Sequence, residues 1–154
     1  MANELMVLLT AMAPISELRG AIPLGLEVLN FSISKTLFLA ILGNFLPVPI
    51  LIYLLEPAEK FLRRNKRFNA FFDWLYKRTR HKFEGNYLKW GELALAVFVG
   101  IPLPATGAWS GVAAAHIFGI PKKRAMIFIF FGILLAAAIV TILDLGIAGW
   151  LKLL

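Results

Sequence analysis

Two charged side chains lie two residues apart within the hydrophobic N-terminal part of this chain. Glu17 and Arg19 stand between Pro14 and Pro23, in a sequence of which 60% is hydrophobic. Charges inside a membrane are energetically costly and usually serve a function. A carboxylate partly removed from water can take up a proton from one side and release it to the other, and a guanidinium can hold an anionic headgroup or a carboxylate. The alternative is that the two charges neutralise each other and only fasten the fold.

A second proline-bearing segment, residues 100–104, repeats the Ile-Pro-Leu of residues 22–24 and is followed by polar and aromatic side chains. Thr106 and Ser110 could contact a substrate, or could satisfy backbone carbonyls that the prolines leave free. Gly107 lets the segment pass close to neighbouring backbone. Trp109 needs either a partner for its indole N–H or a ligand to stack on.

Asn44 completes the set of candidate residues, because it precedes two prolines in the first long hydrophobic run. Pro47 and Pro49 should kink that run and open backbone carbonyls there. We therefore predict a substrate-binding or proton-binding site that combines both proline-bearing segments with this position. Its predicted residues are Glu17, Arg19, Pro23, Asn44, Pro102, Pro104, Thr106, Gly107, Trp109 and Ser110.

The remaining ionisable residues predict no metal site and no catalytic centre. Glu27 and Glu92 lie nearer the ends of hydrophobic segments, so we expect them at the membrane interface. Asp144 is either a second proton site or an end residue of the last span. His81 and His116 are isolated from other ligands, and no phosphate-binding loop or Ser/His/Asp arrangement occurs. The sequence indicates no enzyme and no cofactor, so any transport is passive or driven by an ion gradient.

Composition places the chain among integral membrane proteins. Only 16% of its 154 residues are charged, and a soluble domain of this length could not cover so many apolar side chains. A helix needs about 20 apolar residues to span the hydrocarbon core, and residues 36–55 and 125–145 meet that length. These are the two predicted spanning helices.

Shorter hydrophobic runs predict two re-entrant helical hairpins, at residues 5–31 and 93–120. Each is made of two half-length arms that flank a proline-bearing turn, which we place at residues 19–24 and 100–104. A continuous span through these charges and prolines would leave polar groups against lipid at several kcal/mol each. A hairpin that turns at mid-depth can instead point them inward, where protein or water satisfies them.

The net charge of +7 is concentrated in one segment, residues 57–90, which holds ten Lys and Arg against three acids. Its apolar residues recur at helical spacing, which predicts an amphipathic helix on the membrane surface, with basic side chains toward anionic headgroups. A nucleic-acid patch is the alternative. Basic loops are retained in the cytoplasm, so this segment and Lys122-Lys123-Arg124 should both lie there, at the cell membrane.

The single membrane domain, residues 1–154, then divides into a first half, 1–56, and a second half, 91–154. Each half is a re-entrant hairpin followed by a span, and the charge placement orients them oppositely, as an inverted repeat of all-α architecture. In that arrangement the two hairpin tips approach each other in mid-membrane. One copy encloses little volume, so we expect a homodimer or a larger assembly.

Three ordered motifs carry a family resemblance over nearly the whole chain. Residues 15–25 (ISELRGAIPLG), Gly43-Asn44 with Pro47-Val48-Pro49, and residues 101–111 (IPLPATGAWSG) resemble the small multidrug export protein family, within the wider DedA and VTT-like group. Ala105 departs from the expected pattern, in which Gly precedes the threonine. The family name implies transport, and the DedA proteins imply movement of anionic lipid carriers.

Three functions remain open from the sequence. The chain is a secondary transporter, most simply proton-coupled, or a DedA-like lipid flippase or scramblase for an anionic phospholipid, or a structural membrane protein without a transported substrate. The partners expected are membrane lipids, a small-molecule or lipid substrate and further copies of the chain, and not nucleic acid.

Overall fold

The computed structural model describes residues 2–80, 87–103 and 106–151, and no strand occurs within those ranges. Eight α-helices follow one another there, and a π-helical turn, Leu24–Val28, continues the second of them. They are α1 (Ala2–Met12), α2 (Glu17–Pro23), α3 (Ile33–Phe45), α4 (Pro47–Leu62), α5 (Lys66–Arg80), α6 (Tyr87–Gly100), α7 (Ala108–Ile117) and α8 (Lys122–Leu151).

Two helical stretches are long and apolar enough to cross a membrane, Ile33–Leu62 and Lys122–Ile147. The first joins α3 and α4 through Leu46, which keeps helical dihedral angles. Pro47 is the first residue of α4, where its missing N–H does little harm. Both predicted spans lie inside these stretches, and each is longer than predicted because helix continues past Pro57 and begins already at Lys122.

Large apolar side chains cover much of the outside of these helices. Phe38 and Ile142 are more than half exposed, whereas the buried core consists of alanines such as Ala40 and Ala136 together with Val, Leu and Ile. Small residues let membrane helices pack closely, and lipid tails solvate large apolar side chains as well as protein does. Extensive exposure of large apolar side chains is consistent with a membrane protein.

Helix contacts follow the same pattern in the two halves of the chain. The most extensive contacts join α1 to α3 and α6 to α8. Consecutive helices α1 and α2 also touch, as do α6 and α7. Each half then reaches into the other, because α2 packs on α8 and α7 packs on α4.

Two glycines make the corresponding contact in each half. A Cβ on Gly43 would lie 2.5 Å from the Leu8 carbonyl oxygen and 2.9 Å from the Ala11 Cβ. A Cβ on Gly132 would lie 2.7 Å from the Ala96 carbonyl oxygen and 2.6 Å from the Val99 Cβ. In both cases the glycine faces residues i and i+3 of a short helix, which its lack of a side chain allows to pack closely.

The first proline-bearing turn was predicted in the wrong place. Residues 19–24 are helical, and the turn lies at residues 13–16 instead. Pro14 supplies no N–H to extend α1, and the Ser16 hydroxyl donates to the Thr10 carbonyl at 2.7 Å. Pro23 falls at the junction of α2 with the π-helical turn, so it does not reverse the chain.

The other sequence predictions on local structure agree better with the fold. The second turn lies between α6 and α7, at residues 101–107, of which Pro104 and Ala105 are outside the described residues. The basic segment 57–90 comprises the end of α4, then α5, then the start of α6, with residues 81–86 outside the described part. The predicted helix is therefore confirmed for Lys66–Arg80.

Gly132→Ala should destabilise the fold, because its Cβ would overlap the α6 backbone. Overpacking of this kind costs about 1–3 kcal/mol, which should lower the midpoint of thermal unfolding in detergent by several degrees. Gly146→Ala, in the same helix with nothing within 4 Å of the new Cβ, is the matched control and should leave the midpoint unchanged or raise it, because alanine favours a helix over glycine. Equal midpoints for both variants would contradict the packing described.

Candidate functional site

The first residue of α2 reaches across to the other half of the molecule. Glu17 is buried, and its Oε1 accepts a hydrogen bond from the Trp109 backbone N–H at 3.4 Å. Trp109 is the second residue of α7. The first N–H groups of a helix lack intrahelical partners and carry partial positive charge. The Glu17 carboxylate therefore caps a helix that lies 92 positions further along the chain.

Gly107 makes room for that carboxylate. It is the N-cap of α7 and offers no side-chain cap, and a Cβ at this position would overlap the Glu17 carboxylate. Its φ of 130° also belongs to a region that other residues rarely adopt. Glu17 thus supplies the capping oxygen that a serine or aspartate at the N-cap would normally provide.

Glu17 itself adopts an unusual backbone conformation, with a φ of 45°. A left-handed conformation at a residue other than glycine costs on the order of 1–3 kcal/mol and persists where the surroundings enforce it. Such strain is concentrated at functional sites. Here it directs the carboxylate toward α7 rather than along its own helix.

Arg19 forms a hydrogen bond to the second turn, while its charge also attracts the nearby Glu17 carboxylate. Its guanidinium donates to the Thr106 carbonyl at 3.5 Å, and across the described residues it forms no direct ion pair with Glu17. The Thr106 hydroxyl closes the turn, since it lies 2.5 Å from the Ile101 carbonyl oxygen and 2.7 Å from that of Leu103. Of the two roles considered for Thr106, the structure supports satisfaction of backbone carbonyls.

Trp109 joins the two turns by a second hydrogen bond. Its indole Nε1–H donates to the Met12 carbonyl at 3.0 Å, at the C-terminal end of α1, where carbonyls lack helical partners. The indole therefore has a protein partner and does not depend on a stacked ligand. The Ser110 hydroxyl donates to the Gly107 carbonyl at 3.3 Å, so it too satisfies a backbone carbonyl of the turn.

Asn44 brings an unpartnered polar atom to the same place. Its side chain is 2% exposed, and within the described part of the chain its Oδ1 has no hydrogen-bond partner. A buried acceptor left unsatisfied costs about 1–3 kcal/mol. Asn44 lines a cavity together with Glu17, Arg19 and the 101–107 turn. The arrangement is suited to a small ligand that donates hydrogen bonds.

The cavity is small in this structure. Its volume is about 10 Å³, which is room for about one water-sized sphere. The rest of its wall is apolar and comes from α2, α6, α7 and α8, through Leu18, Val99, Ala108, Ile133, Ala136 and Val140. A proton or one water fits here, whereas a drug-sized molecule requires the turns to separate.

The structure brings most of the predicted site residues together. Six line the cavity and two more hold its rim, while Pro23 is not among the lining residues and Pro104 lies outside the described residues. The α8 wall was missed, although its run of alanines at 136–138 is the sequence signal of close helix packing. The lining six are Glu17, Arg19, Asn44, Pro102, Thr106 and Gly107.

The other ionisable residues lie away from this cavity. Glu27 is exposed, as expected of an interfacial residue, whereas Glu92 is buried and pairs with Arg124 at 3.1 Å. His116 is not isolated, because its Nε2 lies 2.5 Å from Glu59 Oε2. Asp144 Oδ2 has no hydrogen-bond partner among the described residues, and the Asp144 carboxylate is repelled by that of Glu27. No metal-binding group of three or more ligands is present among the described residues.

Gly107→Ala should destabilise the protein, because the new Cβ would displace the Glu17 carboxylate and strain the backbone. We expect a loss of more than about 1 kcal/mol in the free energy of unfolding. Gly119→Ala is the control for strain alone, since Gly119 has a positive φ of 67° but open space around it.

A double variant separates the steric overlap with Glu17 from the backbone strain at residue 107 more directly. In Glu17→Ala/Gly107→Ala the carboxylate is absent, so the combined loss should be smaller than the sum of the two single losses. Additive losses in chemical unfolding would show that Gly107 does not accommodate Glu17.

Comparison with known proteins identifies the family. The family model described as "Putative small multi-drug export protein" matches residues 17–139, a range that starts at Glu17, directly after the first turn, and contains the second turn, Asn44 and most of the α8 wall. No curated protein and no solved structure matches significantly. With well over half of its length matched, and with two helices able to cross a membrane, the chain belongs to the small multidrug export protein family.

Proposed function

We propose that this protein is a secondary transporter that exports small molecules across a membrane, with proton binding at Glu17 as the coupling step. The family supports the export role. The observation that carries the proposed mechanism is the buried Glu17 carboxylate, which caps the N-terminus of a helix from the other half of the molecule. A titratable group at a contact between two halves can control whether they stay together.

The proposal places α1–α2 and α6–α7 as re-entrant hairpins that enter the membrane from opposite sides. α1 has 11 residues and α7 has 10, so each is about 15–17 Å long, roughly half of the hydrocarbon core. The corresponding contacts of Gly43 and Gly132 support an inverted repeat. The basic segment 57–90 and Lys122-Lys123-Arg124 would share the cytoplasmic side.

Protonation of Glu17 would strengthen the contact between the hairpins. A charged carboxylate held away from water is costly, and the positive end of α7 offsets that cost only in part, by up to about 2 kcal/mol in partly buried geometry. Neutralising the carboxylate removes the cost, so the protonated side chain would favour the closed state, in which the cavity admits no drug-sized substrate. Deprotonation would favour the separated state, in which water can reach the charge. Alternation between these states would couple proton movement to transport.

Asn44 and Arg19 would bind what enters the opened cavity. Asn44 Oδ1 would accept hydrogen bonds from a substrate or water that it lacks in the closed state. Arg19 contacts only the Thr106 carbonyl through its side chain in the described structure, at 3.5 Å, so it can exchange this long contact for an anionic group. The alternative is a DedA-like protein that transports a lipid, and the transport assay must distinguish it from small-molecule export.

Glu17→Gln should abolish transport that depends on a pH gradient. We expect ethidium efflux from proteoliposomes with an imposed pH gradient to fall to the rate of protein-free liposomes, because the neutral glutamine mimics the protonated carboxyl group and would hold the closed state. Glu27→Gln is the matched control: it removes an exposed carboxylate ten residues away and should keep the wild-type rate.

Circular dichroism and thermal unfolding of both variants would establish that they fold. A wild-type rate in folded Glu17→Gln would refute the assignment of Glu17. Movement of a labelled lipid by the wild-type protein, without dependence on the gradient and without ethidium efflux, would refute small-molecule export in favour of lipid transport.

A further inference from the structure

The helix that follows the first candidate span exposes a group of large aromatic side chains. Phe61 at the end of α4 and Phe68, Phe71 and Trp74 on α5 are between 47% and 67% exposed. We call these four residues the aromatic surface. The rings of Phe71 and Trp74 contact each other, with centroids 6.2 Å apart. A contiguous exposed apolar patch of this kind marks a site of interaction with another surface.

Hydrogen bonds fix the opposite side of α5 to the protein. Arg63 Nη1 donates to Asn69 Oδ1 at 2.9 Å and to Asp73 Oδ1 at 2.8 Å. Its Nε donates to Glu59 Oε1 at 2.6 Å. Asn69 and Asp73 are one helical turn apart and therefore share a face. With that face tied to α4, the rings of Phe68 and Phe71 are directed away from the protein.

Exposed basic side chains accompany the aromatic surface along the same segment. Arg64, Lys66, Arg67 and Lys77 are all exposed, and the Arg64 guanidinium stacks on the Phe61 ring at 5.5 Å from its centroid. Aromatic rings flanked by Lys and Arg are the pattern of helices that lie in a membrane interface, with the rings among acyl chains and the charges at anionic headgroups.

The position of α5 in the chain places it near the membrane surface. It begins four residues after Leu62, the last residue of the candidate span Ile33–Leu62. A short connection of this kind keeps the helix close to the plane where the span leaves the hydrocarbon region. A second copy of the chain is a poorer partner for the aromatic surface, because the basic side chains of the two copies would face and repel each other.

We propose that the aromatic surface of α5 docks onto a leaflet rich in anionic lipid, which binds it through ring insertion and through attraction of the accompanying basic side chains. This binding surface is separate from the cavity at Glu17 and does not depend on the proposed transport. It makes the anionic lipid content of the membrane a determinant of how α5 is held.

Spin labels can locate the two faces of α5 in the full-length protein, because the chain has no cysteine. We would introduce Phe71→Cys on the aromatic surface and, as the matched control, Ala70→Cys at the neighbouring exposed position. Both would be labelled with a nitroxide and reconstituted in nanodiscs of phosphatidylcholine, with or without phosphatidylglycerol. Collision with oxygen reports acyl chains, and collision with a water-soluble nickel chelate reports solvent.

With phosphatidylglycerol present, the label at 71 should favour oxygen and the label at 70 should favour the nickel chelate. Lys66→Gln/Arg67→Gln should reverse docking, since each basic residue near an anionic surface contributes about fivefold in affinity and two contribute roughly 25-fold. Lys123→Gln, an exposed lysine at the start of α8, is the control and should leave the label at 71 docked.

Three outcomes would overturn the proposal. The label at 71 would remain accessible to nickel in both lipid compositions, or it would insert equally in the absence of phosphatidylglycerol and after the double substitution. The third is spin–spin broadening at 71 that disappears on dilution with unlabelled protein, which would assign the surface to a second copy.

Discussion

The fold depends on how it accommodates one buried carboxylate, that of Glu17. An isolated carboxylate removed from water is very costly, and Glu17 has no direct ion pair in the described structure to offset that cost. It is stabilised by the N-terminus of α7, which needs a capping group. The same contact thus satisfies a carboxylate from the first half and a helix end from the second. Gly107 without a side chain and the Trp109 bond to Met12 are the local conditions that allow it.

The surrounding helices provide a frame that is consistent with this contact. Glycines in α3 and α8 let the short helices α1 and α6 pack closely, and many large apolar side chains are exposed on the outside. Each half contributes one short helix to the other half, α2 to α8 and α7 to α4. The contact at Glu17 therefore lies between the two halves of the chain, each of which has the same pattern of helix contacts.

Local features of the fold could be predicted from the sequence, whereas partnerships across the chain could not. The turn at residues 101–107 was found because two prolines and a glycine interrupt a hydrophobic run. The first turn was misplaced because Pro23 was interpreted as a helix breaker, although it is accommodated at a π-helical junction and Pro14 precedes the actual turn. For Glu17 the sequence suggested its neighbour Arg19 as partner, since nothing in the residue pattern points to a backbone 92 positions away. The unpartnered Asn44 Oδ1 likewise emerges only from three-dimensional packing.

The central claim is that the protonation state of Glu17 controls the contact between the two turns. The most direct measurement is the distance between nitroxide labels at Ile15 and Leu103, exposed residues of the first and second turns, by pulsed electron paramagnetic resonance in nanodiscs as pH is varied. We expect a short distance at low pH and a growing longer-distance population as pH rises and Glu17 loses its proton, with Glu17→Gln keeping the short distance at every pH. A distance distribution that is independent of pH in the wild-type protein, or one that still varies with pH in Glu17→Gln, would contradict the claim.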